Sequence, residues 1–168
     1  MPSWDTSIVS AMNLDDIQRA WRTNNEVNLR LLALCPVEAM DLKPGKGKTI
    51  RSNYVHILGV RRMRLEEHLR AEAQTLAKLD WKTATREEII TELHRSSALM
   101  ERLWAHFEAR TRPHRWSTAL LLSYCIAHEA HHRSQVEIAL RLGGHEPDEM
   151  DLYALWDWTK LAPSDPTD

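Results

Sequence analysis

Helix-breaking residues are scarce in this chain, and their placement limits what it can fold into. Its five glycines and seven prolines gather mainly at Pro36 to Gly47, Pro113, Gly143 to Pro147 and the two termini. Proline removes a backbone donor and clashes with the preceding turn, while glycine favours the left-handed stop at a helix end. The stretches between these points are rich in Leu, Ala, Glu and Arg, a composition that favours helix over sheet. This partition predicts four long helices and a short fifth, packed as an all-α four-helix bundle. At this length one domain over residues 1–168 is the simplest organisation.

Capping signals place the helices. Asn13, followed by Asp15 and Asp16, starts the first, whose inner stripe reads Ile17, Trp21, Asn24, Asn28, Leu31 and Cys35. Two asparagines within an apolar stripe need partners, from a polar pocket or from water along a solvated edge. The second helix is expected from about Thr49 to Leu76. Its inward stripe is expected through His56, Val60 and Met63, with Arg61, Arg62, Arg64, Glu66 and Glu67 solvated. Thr85 with Glu88 forms a capping box for the third, which buries Ile89, Leu93, Met100, Trp104 and Phe107. Ser117 caps the fourth, which carries Leu121, Tyr124, His128, His132, Gln135, Ala139 and Leu142 on one face before Gly143-Gly144. A short segment with Leu152, Leu155, Trp156 and Trp158 follows, and Ala162 to Asp168 are expected to fray.

A formal net charge of −2 argues against a dedicated nucleic-acid binder. No apolar run reaches the ~18 residues of a membrane span, and Met1 to Met12 lack the pattern of a secretory signal. Cys35 and Cys125 sit in apolar helical surroundings, as reduced core thiols of a cytoplasmic protein would. Gly45-Lys46-Gly47-Lys48-Thr49 is not a phosphate loop, because its first required glycine falls on Leu42 and no strand precedes it.

The chemistry concentrates in His128-Glu129-Ala130-His131-His132. Imidazoles four apart on a helix lie about 40° apart around its axis, so His128 and His132 face one point. His131, at i+3, fits that line less well. Two preplaced imidazoles are half a transition-metal site, and a third ligand must come from elsewhere. His56 is the candidate, because it sits in an apolar setting near the start of the second helix. A lone histidine of this kind is more often a hydrogen-bonded core residue, but here another helix already offers an incomplete pair. His68, His94, His106, His114 and His145 read as surface histidines. The string also satisfies the H-E-x-x-H pattern, in which Glu129 would be a general base. The downstream Gly and His of the metzincins are missing, Glu146 and Glu149 lie beyond the glycine break, and no strand is available to present a peptide.

His56, the string His128-x-x-x-His132-Arg133-x-Gln135, Leu142-Gly143-Gly144 and the tail Leu152-Tyr153-Ala154-Leu155-Trp156-Asp157 together resemble the DinB/YfiT-type four-helix bundles. The resemblance runs over nearly the whole chain in element order. It departs before His56, where Thr49-Ile50-Arg51-Ser52 lacks the tryptophan often found there.

The resemblance implies a metal site of His56, His128 and His132 that holds a divalent ion, zinc or nickel first, with iron or manganese as further options. It implies a homodimer and a small-molecule substrate, with a low-molecular-weight thiol as possible cosubstrate. Expected partners include neither nucleic acid nor membrane. Two functions are open: a metal-dependent thiol S-transferase-like enzyme or hydrolase, or a metal-binding bundle without turnover. Gln135, Asn24 or Asn28 would orient the bound group, and Trp4 and Trp116 are candidates for an exposed interface.

Overall fold

The computed structural model describes residues 13–112 and 114–161. Helix α1 spans Leu14–Ala33, α2 Ile50–His68, the short α3 Arg70–Ala73, α4 Arg86–Glu108 and α5 Thr118–Leu142. Two short helices follow, α6 (Glu149–Ala154) and α7 (Trp158–Leu161). The described residues contain no strand, and no helix among them is long and apolar enough to cross a membrane.

Each long helix starts at a side-chain cap. The Asn13 amide oxygen accepts from the Asp16 N–H at 2.8 Å while Asp16 accepts from the Asn13 N–H at 3.3 Å. Thr85 and Glu88 repeat this reciprocal arrangement at α4. Thr49 and Ser117 accept from the N–H groups of Ser52 and Leu120. Such caps satisfy donors that a helix cannot satisfy internally, typically worth about 1 kcal/mol each. At the far end of α5, Gly144 takes φ +76°. Gly143 lies so close to Leu42 that an added Cβ would stand 2.3 Å from its Cδ1. The first glycine is needed for packing and the second for the turn.

Helices α1 and α2 each pack against both α4 and α5, so the order around the bundle is α1, α4, α2, α5. The core is split along its length. One apolar cluster holds Leu31, Tyr54, Ile57, Leu93, Val136 and Leu140. The other holds Ile17, Trp21, Leu65, Leu103, Trp104 and Leu121. Between them, every long helix contributes buried polar groups: Asn24, Asn25 and Asn28 from α1, Arg61 from α2, Ser96 from α4, and Glu129 and Arg133 from α5.

Several expectations need correction. The second helix ends at His68 rather than near Leu76: Leu69 leaves helical geometry at φ −131°, ψ 57°. The bend brings Ala73 and Leu76 into the core, and Arg62 Nη1 donates to the Leu76 carbonyl at 2.6 Å. The inner stripe of α2 is not His56–Val60–Met63. Met63 is 44% exposed, whereas Asn53, Tyr54, Ile57, Leu58, Arg61, Arg64 and Leu65 are buried, so Arg61 and Arg64 do not belong to a solvated face. On α5, Tyr124 and Leu142 are exposed and the core face turns instead through Leu121, Leu122, Cys125, Glu129 and Val136. Trp116 is half-buried against the second cluster and not an exposed interface residue. Trp4, Met1 to Met12, Pro113 and Ala162 to Asp168 lie outside the described residues.

Other expectations hold. The stripes of α1 and α4 are buried as read. Cys35 and Cys125 are buried free thiols. Burial pushes both up to about 12, so neither supplies a thiolate near neutral pH.

Candidate metal centre

His128 and His132 project from successive turns of α5 toward α2, where His56 lies about two turns beyond the Thr49 cap. One ring nitrogen of each histidine lies within 4.8 Å of the other two, and no carboxylate or thiol joins the group among the described residues. The His56 ring centroid is 4.6 Å from that of His132 and 5.4 Å from that of His128. The Nε2 atoms of His128 and His132 stand 3.2 Å apart, facing the same point. Nitrogens this close can close on one ion at the ~2.0–2.1 Å typical of metal–imidazole bonds. The three histidines singled out in the sequence therefore come together. His131 is exposed and stays out, touching His132 only ring to ring.

One positioning residue was not legible beforehand. The Nδ1 of His132 lies 2.8 Å from Asn53 Oδ1. The Asn53 amide nitrogen donates to the carbonyls of Lys48 and Thr49, which directs its oxygen toward the imidazole. His132 therefore donates from Nδ1, and its Nε2 lone pair points at the shared centre. Such an outer partner fixes both tautomer and ring orientation. The signal available in the sequence was slight: Asn53 precedes His56 by three, one helical turn away.

All three imidazoles are held neutral. Burial, followed by the neighbouring imidazoles His128, His56 and His131 and then Lys48, pushes His132 down to about 4. Burial, then Lys48 and His128, lowers His56. His128 is lowered chiefly by burial, although Glu129 opposes this. A site that resists protonation keeps its lone pairs available to a cation. Tyr124 stacks on His128 at 5.9 Å and 17°, and the Arg64 guanidinium lies 5.0 Å over the Tyr124 ring.

Glu129, the base of the protease pattern, has another task. Arg61 donates to both its oxygens at 2.7 and 2.9 Å, and Asn24 and Asn28 each donate to Oε2 at 2.7 Å. Burial alone would raise this carboxyl, but Arg61, by charge and hydrogen bond, together with Asn28 and Arg133, holds it below its usual range. It is an immobilised anion pointing into the bundle. Asn24 and Asn28 complete that network and do not orient a group at the histidines. Gln135 is half-buried and makes no hydrogen bond among the described residues.

No curated protein and no solved structure matches the chain. The model of the DinB family matches residues 11–166. That match, over a helical bundle whose second and fifth helices bring three histidines to one point, makes the chain a member of the DinB family.

Proposed function

We propose that this protein is a divalent-metal-dependent enzyme that activates a small nucleophile at His56, His128 and His132, with a low-molecular-weight thiol as the favoured nucleophile and water as the second. The observation that supports this most is the donor set: three neutral imidazoles and no carboxylate. Such ligands leave the full +2 charge of an ion uncompensated and favour an anion in the open position. An ion bound there would supply Lewis acidity, lowering the pKa of a thiol or a water in its fourth position.

The chain's own residues support a thiol over water. Hydrolysis draws on a positioned acid or base to protonate the leaving group, but the adjacent carboxylate, Glu129, is locked to Arg61. A thiol would need no such protein group: with its pKa lowered by an ion held at His56, His128 and His132, it would give its proton to solvent, and the electrophile's leaving group would depart with its bonding pair as the C–S bond forms. Lys48 lies close enough to depress His56 and His132, and its charge favours an anionic ligand or substrate. Asn53 holds His132 in place through the cycle.

Protein purified without added metal should contain about one divalent ion per chain, and His56→Ala or His132→Ala should lose it. With metal bound, the protein should consume an electrophile such as 1-chloro-2,4-dinitrobenzene in the presence of a bacterial thiol, releasing chloride as the C–S bond forms. Metal binding without turnover by any thiol in a panel would leave the binding bundle as the correct reading. Absence of metal in the unmodified chain would remove both.

A further inference from the structure

On the side of α5 turned about 180° from the histidines lies a cavity of about 330 Å³. Ile126 and Ala130 of α5, with Leu155 and Trp158 from the C-terminal segment, give it apolar walls, and Arg133 and Glu137 give it two polar groups. It shares no residue with the candidate metal centre.

Arg133 is the unusual member. It is only 7% exposed, yet it makes no ion pair among the described residues. Its Nη1 donates to the amide oxygens of Asn24 and Asn28 at 2.9 and 2.8 Å, while Nε and Nη2 have no hydrogen-bond partner among the described residues. The one buried carboxylate nearby, Glu129, is already held bidentately by Arg61. Arg133 therefore lines the cavity with no carboxylate in hydrogen-bond contact among the described residues. Its Nε and Nη2 are not among the enclosed, unsatisfied atoms of the described residues, so an acceptor in the cavity can reach them. Glu137, one turn further on, lines the same cavity and interacts electrostatically with Arg133, which opposes the rise that burial gives its carboxyl, but it makes no hydrogen bond or close ion pair with Arg133 among the described residues. The cavity therefore presents unused guanidinium donors and an aromatic and aliphatic wall. At the small end of ligand-site sizes, it suits a molecule with one ring.

We infer that this cavity binds a small ring-bearing monocarboxylate, with its carboxylate on Arg133 and its ring against Trp158, Leu155 and Ile126. The site is separate from the metal centre and independent of the function proposed for it.

Calorimetric titration of the full chain with phenylacetate tests the assignment. One saturable site is expected, with phenylacetamide, the uncharged isostere, binding at least about tenfold more weakly, since it forfeits a charge-assisted contact. Ala130→Leu and Ser134→Leu narrow the cavity without touching the polar network, and each should abolish the binding heat while leaving the thermal midpoint unchanged. Because a carboxylate can also ligate a metal, the titration is repeated on metal-free His132→Ala protein, where binding should persist. No saturable heat up to millimolar phenylacetate, equal affinity for the amide, survival of binding in both leucine variants, or its loss in His132→Ala would each overturn the inference.

Discussion

The same two helices, α2 and α5, build two polar clusters that lie one residue apart on α5. His128 and His132 join His56 in a half-open group of three ring nitrogens, whose one hydrogen-bond contact at the shared centre is between the Nε2 atoms of His128 and His132. Glu129 joins Arg61 and the α1 asparagines in a closed layer, with Arg133 at its edge, where Glu129 and Arg61 are each 2% exposed. In the closed layer the carboxylate is saturated: two bonds from Arg61 and two from asparagine amides. In the open group capacity is left over. This difference separates structural polarity from chemical polarity, because a site that reacts must keep an unfilled valence while a structural network must leave none.

The largest expected effect lies in the closed layer. Glu129→Ala strands Arg61 and two asparagines in the core and should cost about 3–5 kcal/mol of stability, read by urea denaturation. A loss below about 1 kcal/mol would mean that the layer does not hold the helices together. Replacing both partners, Arg61→Met with Glu129→Gln, should cost less than the two single changes summed, with a coupling of about 1–3 kcal/mol.

Acid should distinguish the two clusters by pH range. His132 has its folded pKa depressed to about 4, against ~6.5 for a free imidazole. Between those values the unfolded chain binds more protons than the folded one. The metal-free protein should therefore lose stability as pH falls from about 6.5 toward 4, and bound metal should dissociate over the upper part of that range. Glu129 is also depressed, so its contribution is present above the ordinary carboxylate range and is lost only at lower pH, as the medium passes through its folded pKa. A His132→Ala variant should flatten the first phase and leave the second. A profile unchanged by that substitution would contradict the assignment.

A smaller effect is expected from Asn53→Ala. It should weaken metal binding about 10- to 100-fold while changing stability far less than Glu129→Ala, as measured by competition with a chelator. Smallest is Tyr124→Leu, which removes an exposed aromatic stack on His128 and should cost at most about 0.5–1.5 kcal/mol; a collapse of metal binding would move Tyr124 into the centre itself.

The sequence was informative where one short-range rule sufficed. The caps at Asn13, Thr85 and Ser117 and the stop at Gly143-Gly144 were readable because each is a local hydrogen-bonding problem with a local answer. The histidine pair was readable because four residues make about one helical turn. His56 was raised as third ligand by its apolar setting and the incomplete pair, the resemblance implied the full set, and the bundle brings it to the pair. Arg61 was misread because charge on a helix usually marks water. Its stripe, Asn53, Ile57, Arg61 and Leu65, is nevertheless spaced as an inner face, and the asparagines at 24 and 28 signalled that something polar had to meet them inside.

From the sequence alone came four long helices, three of them with their caps, and the turn of α5 that carries the paired imidazoles. Only the tertiary structure decided which charged side chains are internal, that Asn53 orients His132, and that Glu129 is held by Arg61 rather than offered to a substrate. The physical reason is distance along the chain. Burying a charge is tolerable only beside its partner, and Arg61 and Glu129 are 68 residues apart, a pairing that no local periodicity encodes.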